Sequence, residues 1–127
     1  VQADTLIIVH PNNPDGREFD DLASVVVDRA GAPQDRLTII DEAFADLVPQ
    51  ISLIPDGPSQ TVVLRSVGKF FGLGGVRLAF AMGEPALIRP IHDAIGPWPV
   101  SGPALAVATA LEDLVWASEM RQQLSTQ

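Results

Sequence analysis

Four short runs of apolar and β-branched residues recur along the chain: TLIIVH (Thr5–His10), the LTII of RLTIIDEAF, TVVLRSV (Thr61–Val67) and VRLAFAMG. Each run is too short for a helix and is bounded by turn-forming residues or by segments with helical spacing. DDLASVVVDRAG has that spacing, with Asp20 or Asp21 as candidate cap and Gly31 as stop. EPALIRPIHDAI reads as a helix broken or kinked at Pro90, GPWPVSGP as a loop, and a further helix runs from about Ala104 to Gln122. Continuous apolar strands separated by helices need cover on both faces. The expected fold is therefore α/β, a mostly parallel sheet with helices on both faces.

Composition narrows the function classes. The formal charge of −8 disfavours a nucleic-acid or anionic-membrane surface, and no apolar run reaches the length of a membrane span. With no cysteine there is neither a disulfide framework nor a thiolate metal site, so no metal is expected and a reducing cytoplasm fits. No basic, apolar leader opens the chain, so export is not indicated. The chain starts at Val1 and stops at Gln127 directly after a helical pattern, which reads as a piece of a longer protein.

In sheets of this kind ligands collect at the carboxyl ends of the strands, so the loops there carry the chemistry. After the first run comes HPNNPDG, an ordinary turn by composition that also offers the amides of Asn12 and Asn13. After the second comes DEAFAD, where Asp41 closes a buried strand. It reads as a cap, as half of a salt bridge, or as a carboxylate waiting for a cation. After the third comes SVGKFFGLGGVR, which holds Ser66, Lys69 and Arg77 among four glycines. A hydroxyl, two cations and permissive backbone make a plausible phosphate cradle, but the spacing is neither a Walker loop nor a dinucleotide fingerprint.

Lys69 is the only lysine, and seven arginines supply the remaining fixed positive side chains. Arginine keeps its proton at working pH and cannot form an imine, whereas a lysine can. Amides, a carboxylate, an amine, a hydroxyl and a guanidinium on successive strand ends together match what pyridoxal 5'-phosphate requires.

The motifs PNNPDG, DEAF and SVGKFFGLGGVR, in that order from Pro11 to Arg77, resemble the class I/II aminotransferase superfamily of pyridoxal-phosphate enzymes. The resemblance implies that residues 1–127 form the central part of the large cofactor-binding domain. The N-terminal part of that domain and the small C-terminal domain would lie outside the chain. It also implies that Lys69 is the Schiff-base lysine, that Asp41 partners the pyridine nitrogen, that Asn13 bonds the phenolic oxygen, and that Ser66 and Arg77 hold the phosphate. Phe44 stands where family members often carry tyrosine, which favours the subgroup of threonine-phosphate decarboxylases of cobalamin biosynthesis over histidinol-phosphate or aromatic aminotransferases. A homodimer acting on an amino acid or phosphorylated amino substrate follows from the same resemblance. The reading from another class is a non-catalytic phosphate- or nucleotide-binding module in which Lys69 is only an anion ligand. His10, before PNNP, reads as a packing residue, and Trp98 between two prolines as a plug in the core.

Overall fold

The computed structural model describes residues 4–31, 36–55, 57 and 59–126. Strands β1 (Thr5–Val9), β2 (Leu37–Asp41), β3 (Thr61–Ser66) and β4 (Ala79–Gly83) form one sheet in sequential order. The first three are parallel, with Val9 opposite Asp41 and Asp41 opposite Leu64. β4 returns antiparallel to β3, with Ser66 opposite Ala79. The carboxyl ends of β1, β2 and β3 and the start of β4 therefore share one edge of the sheet. Gly83 is obligatory at the far end of β4, because a Cβ there would meet the Thr61 carbonyl oxygen at 2.6 Å.

Helix α1 (Leu22–Ala30) follows β1 and covers one face. Its Leu22 and Val26 pack with Ile40, Leu53 and Ile8, and Val26 and Ile40 are fully buried. Each such side chain stabilises the fold by roughly 1.5–3 kcal/mol. Asp21 occupies the N-cap position of α1 without a side-chain capping bond; only its carbonyl joins the helix, accepting from Val25. Arg29, buried in the last turn, donates to the Thr38 hydroxyl at 3.2 Å and ties the helix to β2. On the opposite face Ile7 is 67% exposed, so cover there is incomplete around β1 among the described residues.

Of the two helix expectations, the helix around Pro90 is met and the terminal one is corrected. Helix α2 (Pro85–Ile95) runs through Pro90 without a break. Pro90 and Ala86, whose carbonyl loses its partner, are both exposed, so water can satisfy that oxygen. The long terminal helix is two: α3 (Gly102–Ala108) and α4 (Leu114–Leu124), joined by a 3-10 turn over Thr109–Glu112. Asp113 accepts from the Trp116 N–H at 2.9 Å and restarts the helix as its cap.

A second cluster sits under the glycine-rich segment. Val67, Leu78 and Ala104 are buried together, with Phe71, Leu73 and Val76 packed on them. Leu73 N–H donates to the Val67 carbonyl at 3.1 Å, and Gly72 N–H to that of Lys69 at 3.0 Å. Helix α3 thus buttresses the loop that carries Lys69. No helix of the described residues is long and apolar enough to cross a membrane.

Candidate active site

A cleft of ≈ 780 Å³ opens at the strand-end edge and takes its walls from the three loops together with α4. Asn13, Phe44 and Lys69 all line it, arriving from the loops after β1, β2 and β3 respectively.

The first loop is folded by its own polar groups. Asn12 donates from Nδ2 to Asp15 Oδ1 at 2.7 Å, and its carbonyl accepts from Gly16 N–H at 2.8 Å. Gly16 adopts a φ of 68°, which glycine allows cheaply. The bond from Asn12 holds the Asp15 carboxyl below the usual carboxylate range. With Asn12 spent on the turn, Asn13 is the amide left exposed to the cleft. His10, at the root of this loop, is buried, and its Nδ1 accepts from Phe19 N–H at 3.4 Å. Burial lowers its pKa against the raising effect of the Glu42 and Glu18 carboxylates. Its place as a packing residue holds.

Asp41 ends β2 half-buried, and its Oδ1 accepts from Ala43 N–H at 2.9 Å, so the carboxylate shapes the turn that presents Phe44. Lys69 is exposed, and its Nζ lies 5.1 Å from the centroid of the Phe44 ring. Ser66 Oγ accepts from Gly68 N–H at 3.1 Å. A Cβ on Gly68 would come within 3.3 Å of both Ser66 Oγ and Gly74 Cα, so the turn is tightly packed there. Ser66 borders a smaller cavity of ≈ 300 Å³, and Phe71 lines both cavities. Arg77 is exposed, left-handed at φ 57°, and donates from Nη1 to the Gly74 carbonyl at 3.1 Å. Asn13, Phe44 and Lys69 are thus gathered in one cleft. Asp41, Ser66 and Arg77 sit at the same sheet edge but do not line it.

Two groups escaped the sequence reading. Glu42, beside Asp41, is completely buried. It accepts from Ser52 Oγ at 2.8 Å, Leu53 N–H at 2.8 Å and Arg65 Nε at 3.0 Å, which compensates the cost of burying its charge. Arg65 also donates to Asp46 Oδ1 at 2.7 Å. Burial pushes the Asp46 carboxyl up, against the downward pull of Arg65 and Arg121. The second group is the aromatic wall of Phe70, Phe71 and Trp116, with Phe71 and Trp116 stacked at 5.7 Å and 18°. The phenylalanines flanking Lys69 were the available signal for it. Trp98 is corrected outright: it is 93% exposed, at a left-handed φ of 63°, and plugs nothing.

The family model described as aminotransferase class I and II matches residues 1–127. Threonine-phosphate decarboxylase of Pseudomonas aeruginosa is 43% identical over 112 residues, covering 87% of this chain and 34% of that protein. Histidinol-phosphate aminotransferase of Granulibacter bethesdensis is 35% identical over 121 residues, covering 90% and 32%. The chain therefore spans about a third of the length of these curated relatives. Among solved structures, histidinol-phosphate aminotransferase from Clostridium acetobutylicum superposes with a TM-score of 0.82 at 25% identity, covering 94% of this chain and 37% of that one. The enzyme of that name from Sinorhizobium meliloti, in complex with pyridoxal-5'-phosphate, gives 0.73 at 24% identity, covering 98% and 35%.

Proposed function

The chain belongs to the class I and II aminotransferase family, and from that premise we propose that it is part of a pyridoxal-phosphate-dependent threonine-phosphate decarboxylase, cytoplasmic and homodimeric. The observation that carries the reading is the convergence of Lys69, the chain's only lysine, with Asn13 and Phe44 in one cleft at the carboxyl edge of the sheet.

The residues present fit the cofactor by their chemistry. A side-chain amine and an unspent amide share a cleft of ≈ 780 Å³, and a carboxylate, a hydroxyl and a guanidinium stand at the same sheet edge. When bound, pyridoxal phosphate supplies an aldehyde that takes an amine and a protonated ring that draws electrons from the substrate α carbon. Lys69 Nζ is the group that would hold it covalently. The same Nζ would be the group placed to carry a proton at the substrate α carbon. The Asp41 carboxylate, fixed by the Ala43 N–H, would keep the ring nitrogen protonated. The Asn13 amide would donate to the phenolic oxygen, and the Ser66 hydroxyl and Arg77 guanidinium would hold the phosphate. Phe44 walls the cleft beside Lys69 and adds no donor there.

Phe44 and the 43% identity to a threonine-phosphate decarboxylase favour loss of the carboxylate. The second reading is transamination, favoured by the similarity to histidinol-phosphate aminotransferases. Incubation of the intact protein with threonine phosphate and pyridoxal phosphate separates them. Carbon dioxide release is expected; exchange of the amino group with a keto acid, without carbon dioxide, selects the second reading.

A further inference from the structure

Helix α4 lines the same cleft as Lys69, yet it buries little of its own surface. Ala117 is its one buried residue among those described, and its first residues, Leu114 and Val115, are 78% and 69% exposed. Its apolar docking rests on Ala117 and on Trp116, which is half-buried and stacks on Phe71. Arg121 adds a polar connection across a long separation in sequence. Its Nε donates to the Asp46 carbonyl at 2.7 Å, and its guanidinium carbon lies 5.3 Å from the centroid of Phe70, the residue after Lys69.

Both partners of Arg121 are themselves fixed. Asp46 is held through its carboxylate by Arg65, and Arg65 by the buried Glu42. Phe70 meets Phe71 edge-on at 5.0 Å and Trp116 at 5.7 Å. One side chain thus bridges the turn after β2, the Lys69 turn and α4.

We infer that Arg121 is a positioning residue, holding the Lys69 turn between α4 and the Asp46 turn so that Nζ faces the cleft. The inference rests on the proposed role of Lys69. A charge-assisted hydrogen bond and a cation–π contact are both lost without the guanidinium. Methionine keeps the stem but loses both contacts, while lysine keeps a cation that can reach the same ring and carbonyl.

The test uses the full chain with Arg121→Met and Arg121→Lys, read by amide hydrogen exchange and by pyridoxal phosphate titration. In Arg121→Met, exchange at Phe70–Leu73 should rise roughly tenfold, the scale of one lost hydrogen bond to a charged group, while β2 and β3 amides keep their protection. Half-saturation with pyridoxal phosphate should rise by a similar factor, and Arg121→Lys should recover part of both. Unchanged exchange at Phe70–Leu73, or an equal rise throughout the sheet, overturns the inference. Should the methionine variant fail to fold, Arg121→Lys decides: exchange unchanged throughout, or raised equally in turn and sheet, overturns it, while a smaller rise confined to the turn supports it. If the unsubstituted protein takes up no pyridoxal phosphate, the functional reading falls, and the exchange comparison still judges Arg121.

Discussion

Lys69 Nζ stands 5.1 Å from the centre of the Phe44 ring, so the turn after β3 and the turn after β2 meet through an amine and an aromatic face. The ring offers Lys69 a wall and no hydroxyl. In the proposed enzyme, Asn13 alone would then donate to the cofactor's phenolic oxygen.

Phe44→Tyr should restore a second donor at this position. A hydrogen bond to that oxygen stabilises its negative charge and lowers the proton affinity of the nitrogen joined to Lys69. The pH at which the absorbance near 400 nm is half-changed is therefore expected to fall relative to the unsubstituted protein. A spectrophotometric titration showing no change, or a rise, contradicts the roles given to Phe44 and Asn13.

Glu42→Gln should be severely destabilising although it touches neither cleft wall. The amide nitrogen would face donors from Ser52, Leu53 or Arg65, and Arg65 would keep only Asp46 as its acid. Breaking a buried pair of this kind costs about 3–5 kcal/mol. Urea unfolding measures it, and a loss below about 1 kcal/mol would show that the network relaxes.

The pairing of Glu42 with Arg65 also marks where legibility in the sequence ended. The strand runs, the turn chemistry of HPNNPDG and the order of the three loops were all local, and the structure has them there. The exception is the fourth strand, which starts at Ala79 because Gly74–Val76 turns as a 3-10 helix and Arg77 is left-handed. Contacts between distant residues were not local. Nothing near Glu42 announces Arg65, and nothing near Asp46 announces Arg121. The terminal helix was overextended because apolar spacing continues through TALEDLVW, while the capping competence of Asp113 was there to be read. Trp98 failed for another reason. Average burial of a residue type says little about a loop whose backbone turns left-handed at that residue.

Trp98→Ala is accordingly expected to change unfolding stability by no more than about 0.5 kcal/mol, as for other exposed positions. A loss above about 2 kcal/mol in urea unfolding would mean that the side chain is covered in solution.

His10 should make stability depend on pH in a defined direction. Burial lowers its pKa below the ordinary 6.5, so between the lowered value and 6.5 the unfolded chain binds more protons than the folded one. The His10 contribution to stability therefore rises with pH through that window and is complete above 6.5. It is lost as pH falls through the lowered value, where protonation also removes the acceptor for Phe19 N–H. His10→Gln should flatten the unfolding midpoint across this range; an unaltered slope would assign the dependence elsewhere.

The central claim is that Lys69 is the amine that takes the cofactor. Borohydride reduction of the full chain after incubation with pyridoxal phosphate, followed by peptide mass mapping, measures this directly. The predicted result is one reduced adduct on the peptide containing Lys69, lost in Lys69→Arg, a variant that keeps the charge and the fold. An adduct confined to the amino terminus, or equal labelling of the Lys69→Arg variant, would contradict the account.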